Sequence, residues 1–228
     1  MQAADIFLFE VFPYLALAIF LVGSWIRYDY APYTWRAGSS QIMSKKGMFV
    51  ASNLFHLGML GIIVGHTLGM LTPHWVYEGF LPLAVKQQMA MMGGGVCGVM
   101  IVIGGAFLLK RRITEPRVRA SSSTADILIL ALIVVQALIG LVTIGSSLQH
   151  MDGKMMMQLV GWAQAMASFH PGGAATLLEG VPFVFKVHLV LGLLLFVLFP
   201  FTRLVHVWSI PLEYLTRRYQ LVRARRVR

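Results

Sequence analysis

Four of the seven histidines, His56, His66, His188 and His206, fall inside long apolar stretches. An ionisable side chain at membrane depth is costly, and where one is retained it tends to act on an ion, a proton or a cofactor. A single such histidine reads as a helix–helix hydrogen bond. Two on each of two stretches suit a different task. Imidazole nitrogen is an axial ligand for haem iron, and two helices with two histidines each can hold two irons. Polar packing or a proton relay is the alternative use of the same residues.

Depth suggests how the four would pair. In straight helices, His66 lies about 8 Å and His188 about 10 Å from the same end of their stretches. Those two are level, which leaves His56 with His206. Two histidines of one helix cannot both be axial to one haem plane, so each pair joins two helices. Spacing opposes this. His56 and His66 are about 15 Å apart along their helix, and His188 and His206 about 27 Å along theirs. Pro200 lies between the second two and can kink the helix. Tilt can absorb the remainder. The 10-residue spacing also turns about 80° off one face, so the two planes are expected to be oriented differently.

The elements that must carry these residues are five apolar blocks, about 3–25, 47–71, 89–109, 125–144 and 181–207. Each is long enough for a bilayer, which takes about 20 helical residues. None shows the period-two alternation of a membrane barrel strand. Of 228 residues, 57% are hydrophobic and 12% charged. That is roughly half the charge of a soluble domain. The expected fold is therefore an all-α integral membrane protein, a single domain of five transmembrane helices with a basic tail over 208–228.

Lys and Arg orient the bundle. Arg27, Arg36, Lys45 and Lys46 follow the first block, and Lys110, Arg111, Arg112, Arg117 and Arg119 the third. Arg203, Arg217, Arg218, Arg223, Arg225, Arg226 and Arg228 end the chain. The positive-inside rule then places the N-terminus outside and the C-terminus in the cytoplasm. Trp25, Tyr28, Tyr30, Trp35, Trp75, Tyr77, Trp208 and Tyr214 mark the interfaces. The net charge of +10 comes mostly from these clusters, which hold 16 of the 19 basic residues, with Lys86, Lys154 and Lys186 on the opposite side; the charges do not alternate with aromatic residues, which argues against a nucleic-acid surface. The tail is either a solvated, lipid-facing end or a docking surface. The N-terminal segment has no basic n-region and reads as a retained helix. The long outer connection near 145–180 has the composition of an interfacial helix.

Cysteine usage narrows the cofactor. Cys97 is the one cysteine, so neither an internal disulfide nor a cysteine-held iron–sulfur cluster is possible, and no C-x-x-C-H attaches haem covalently. The run from Gly93 to Gly98 fits G-x-G-x-x-G but lies inside an apolar block with no preceding strand, and reads as small residues for packing. Gly58, Gly61, Gly65 and Gly69 give the second block a stripe without side chains. It suits close helix packing or a flat macrocycle, and the two are compatible. Lys86, at the outer start of the third helix, is either a snorkelling lysine or a hydrogen-bond donor to a quinone oxygen near the outer iron. His74, His150 and His170 read as surface residues. Glu10 and Asn53 are candidate buried polar groups.

Several long stretches resemble the gamma subunit of bacterial respiratory nitrate reductase: GSWIRYDYAPYTWRA, KGMFVASNLFHLGMLGIIVGHTLGMLTPHW, PRVRASSSTADILIL, LVGWAQA and LFPFTRLVHVWSIPLEYLTRRYQLVRAR. The resemblance runs over nearly the whole chain. It implies a dihaem cytochrome b of the bacterial inner membrane with two non-covalent b haems. His66 and His188 would hold the outer haem iron, and His56 and His206 the inner one. It also implies that Lys86, with Gly65 and His66 at its border, binds quinol. Quinol would be oxidised near the outer face, and electrons would pass inward to an iron–sulfur beta subunit and a molybdenum-containing alpha subunit. A related dihaem quinol-oxidising anchor of another redox complex, or a haem-free transporter with a histidine relay, are the other readings of the same pattern.

Overall fold

A computed structural model describes residues 3–35 and 47–209. Among them, five helices are long and apolar enough to cross a membrane: α1 (Ala3–Tyr30), α2 (Met48–Leu71), α3 (Leu83–Thr114), α4 (Thr124–Leu148) and a last span, Phe183–Phe201, whose α-helical part is α6 (Phe183–Leu198). Between α4 and α6 lies α5 (Lys154–Ala167). It buries Met155, Val160, Trp162 and Met166 and confirms a helix in that connection. The basic tail beyond residue 209 lies outside the described residues.

Local sequence sets the helix ends. Ser123 caps α4 in a reciprocal box with Asp126, each side chain taking the other's backbone N–H at 3.1 Å. Thr72 and Glu115 each precede a proline and are extended, which ends α2 and α3. The α3 helix has 32 residues, about 48 Å, more than the hydrocarbon core is thick. It therefore takes in Lys86 at one end and Arg111 and Arg112 at the other.

Two prolines interrupt the ladder, and both breaks are repaired from other elements. Pro13 has no N–H for the carbonyl of Phe9, four residues back. A π-turn over Phe7–Val11 forms there. The indole of Trp162 on α5 donates to Phe9 O at 2.9 Å. Glu10, in the same turn, accepts from the Ala175 N–H at 2.9 Å, so its partner is a backbone amide. The second break is at Pro200.

Neighbours pack in the spatial order α1–α6–α4–α3–α2, and α5 lies on α2. The α2–α3 contact is close because Gly58 and Gly61 face Cys97 and Gly104 faces the backbone of Ala51 and Phe55. The two histidine-bearing helices, α2 and α6, are not packed on each other. No span is more than 22% buried within the chain, which leaves the apolar surface to lipid, partners or a ligand. Asn53 is exposed on α2, so it is not buried by this chain.

Candidate functional site

The separation between α2 and α6 holds the histidines. His66 and His188 face each other across it, with ring centroids 6.4 Å apart and planes at 38°. Two imidazoles bonded from opposite sides to one metal at about 2.0 Å would have centroids about 6.3 Å apart. His56 lies within electrostatic range of His206. The structure thus brings His66 and His188 face to face. No group of three or more His, Cys, Asp or Glu side chains is gathered as for a metal ion among the described residues.

Three of the rings are held by one nitrogen. His56 Nδ1 is 2.7 Å from Ser52 O, His66 Nδ1 is 3.0 Å from Ile62 O, and His206 Nδ1 is 2.6 Å from Arg203 O. A carbonyl only accepts, so each Nδ1 carries the proton and each Nε2 keeps its lone pair. That is the tautomer an Nε2 metal ligand needs, and the hydrogen bond orients the ring. His188 is held otherwise. Gln136 on α4 donates to His188 O at 3.0 Å, and its amide nitrogen lies 3.5 Å from His188 Nε2. His188 Nδ1 is buried with no partner among the described residues. A bond to iron would relieve such an orphaned ring nitrogen. The spacing, the tautomers and this orphan fit the pairs to haem ligation.

Sequence reasoning passed over Gln136. The signal was one amide in an otherwise apolar α4, at a depth where polar groups need partners. It works with two glycines. A Cβ at Gly140 would meet the His188 ring at 3.0 Å, and one at Gly192 would meet the Gln136 amide at 3.3 Å.

The glycine stripe of α2 divides into two uses. At Gly58 a Cβ would meet Cys97 O at 2.7 Å, and at Gly61 it would meet Cys97 Sγ, so these two serve helix packing. At Gly65 and Gly69 a Cβ would meet nothing within 4 Å. Beside His66, therefore, the stripe borders open space. The run in α3 is similarly mixed. Gly98 packs on Leu141 and Gly95 touches Ile144, while nothing lies near Gly93 and Gly94.

Lys86, at the start of α3, turns onto Tyr77. Its ammonium is buried 3.8 Å over the ring of Tyr77 and has no hydrogen-bond partner among the described residues. Tyr77 is itself 4% exposed, and its hydroxyl donates to Met157 Sδ on α5 at 3.7 Å. Gln164 of the same α5 donates to Met70 O and Thr72 O, the end of α2, at 3.2 and 3.0 Å. The ends of α2 and α3 are thus joined through α5. The three remaining histidines make local bonds: His74 with Glu78 at 2.8 Å, His150 with Ser146 O at 3.2 Å and His170 with Ser168 O at 2.7 Å.

His206 is not on a continuous membrane helix. The α-helix ends at Leu198, a 3-10 turn covers Phe199–Phe201, Thr202 is extended, and His206 lies in a second 3-10 segment, Arg203–Ser209. The expected single helix over 181–207 is corrected by Pro200, which cannot donate and obstructs the turn before it.

Known proteins resemble this chain over nearly its whole length. The family model described as nitrate reductase gamma subunit matches residues 5–225. The chain is 63% identical over 225 residues to the respiratory nitrate reductase 1 gamma chain of Escherichia coli K12, covering 99% of this chain and 100% of that one. It is 58% identical over 225 residues to the respiratory nitrate reductase 2 gamma chain of the same strain, with 99% of each covered. It is 38% identical over 222 residues to the nitrate reductase gamma chain of Bacillus subtilis 168, covering 96% and 97%.

Proposed function

The chain belongs to the nitrate reductase gamma subunit family, the membrane cytochrome b subunit of respiratory nitrate reductase, and we propose that its four intramembrane histidines hold two b haems and that it oxidises quinol. As such a subunit it is a multi-pass inner-membrane protein of an enzyme whose catalytic site for nitrate lies on another subunit. His66 with His188, and His56 with His206, would ligate one iron each. The facing pair at 6.4 Å carries this reading. Bound there, the haems would supply one-electron carriers.

Quinol binds at the end of the bundle where Lys86 and α5 lie. Gly65 and Gly69 leave room for a flat ring beside His66. The unpartnered Lys86 ammonium donates a charge-assisted hydrogen bond to a quinol oxygen. Quinol loses two electrons and two protons, and the protons leave to water at that end. We place that end outside, since the basic connections gather at the other. An iron–sulfur beta subunit and a molybdenum-containing alpha subunit then dock on the cytoplasmic, basic face. The haem-to-chain ratio of the purified complex tests the central claim: two is expected, and one would reject it. Deleting Arg217–Arg228 tests the docking face. Less beta subunit should remain on the membrane, and full retention would remove the tail from the interface.

A further inference from the structure

The break at Pro200 leaves carbonyls that no helical N–H can reach. One side chain from another helix takes them. Arg27 Nη1, in the last turn of α1, donates to Pro200 O at 2.7 Å and to Thr202 O at 2.8 Å. The rest of the guanidinium is fixed in turn. Its Nε donates to Thr34 Oγ1 at 3.2 Å and its Nη2 to Thr34 O at 2.9 Å. Four residues before Arg27, Gly23 lets Pro200 approach α1, for a Cβ there would lie 2.8 Å from the proline ring. Pro200 and Val205 are buried on either side of the extended Thr202. The segment Arg203–Ser209 does not continue the α6 ladder: it follows the two carbonyls that Arg27 holds, and its far end rests on α1 through Trp208, whose ring centroid lies 5.4 Å from that of Phe20. His206 lies in that segment, with its ring Nδ1 bonded to Arg203 O of the same segment.

We propose that Arg27 is a positioning residue for the His56–His206 haem: by clamping both carbonyls of the broken helix it sets where the His206 imidazole meets the iron. The proposal rests on the reading of His206 as a ligand. Its rival is the ordinary use of an inside arginine, a charge that orients the first helix. A lysine keeps that charge but, as a compact point donor, does not reproduce a guanidinium bridging two carbonyls and Thr34 together.

The test uses the purified complex and three substitutions: Arg27→Lys, Gly23→Ala and His206→Ala. Low-spin ferric haem spectra report the orientation and strength of axial imidazoles, and redox titration reports each haem separately. With Arg27→Lys, the signal and potential of the His56–His206 haem should shift while those of the other haem stay at wild type. Retention of the affected haem should fall on the order of tenfold, as for other outer partners of a metal ligand. Gly23→Ala, which pushes on Pro200 and leaves every charge in place, should shift the same haem. Arg27→Lys with both haems at wild type overturns the proposal. If that variant does not assemble, Gly23→Ala with an unchanged signal overturns it. His206→Ala is the control for the underlying reading. It should remove one haem, and if both remain, the ligand assignment has failed and not the clamp.

Discussion

The two ends of the bundle hold their histidines by opposite means. At the α5 end, His66 and His188 sit within regular helices, and their spacing follows from how α2 and α6 are set apart. Around them the chain leaves room and an uncommitted donor, at Gly65, Gly69 and Lys86. At the basic end, His206 is on a detached 3-10 segment, and close approach and hydrogen bonds fasten it through Gly23, Arg27 and Thr34. A site that admits and releases a quinone needs space and an unsatisfied donor, both of which cost stability. A site that only carries electrons needs a fixed ligand and no access. On the proposed reading, the contrast is between an exchanging end and a permanent one.

The largest effects should separate the ends by which haem is lost. His66→Leu should cost the haem at the α5 end and His56→Leu the one at the basic end. Both should abolish quinol-driven nitrate reduction. Loss of the same spectral component from both variants would break the pairing. Lys86→Ala should come next. It removes a charge-assisted donor worth roughly 1.5–3 kcal/mol, or about 10- to 150-fold in the quinol-driven rate. Haem content should stay normal, and nitrate reduction from an artificial dye feeding the cytoplasmic subunits should persist. Haem reduction by quinol at the wild-type rate would place the quinol site elsewhere. The smallest effects belong to the α2 glycines, and they sharpen the division. Gly61→Ala drives a methyl into Cys97 Sγ and should lower thermal stability by roughly 1–3 kcal/mol. Gly65→Ala meets no protein atom and should leave stability unchanged while weakening quinol or inhibitor binding. Equal melting losses for the two would mean that the stripe has one use along its length.

Much of this was readable in the chain because the bilayer is an unforgiving solvent. A residue run must be helical and about 20 long to cross it, so block lengths alone named five spans. Charged and ionisable groups are expensive there, so His56, His66, His188 and His206 stood out against Leu, Val and Ile. Relative depth along two helices suggested a pairing, which the unequal spacing of the histidines opposed. Pro200 was visible as an interruption because proline's missing donor is a property of the residue and not of its surroundings.

Other features depended on which atoms meet across helices. Glycine has no side chain to declare its role, so only the placement of Cys97 separates packing glycines 58 and 61 from open glycines 65 and 69. Lys86 left two readings open in the chain, a snorkelling lysine or a quinone donor, and only the structure places the Tyr77 ring beneath its ammonium. Arg27 was one more inside charge, and Gln136 one more span residue. Their acceptors, Pro200 O, Thr202 O and His188 O, are main-chain atoms 173, 175 and 52 residues away. Composition and periodicity describe the solvent a segment prefers. The partner of a single hydrogen bond is decided by tertiary packing, because every residue offers the same carbonyl and only its position in space says which donor reaches it.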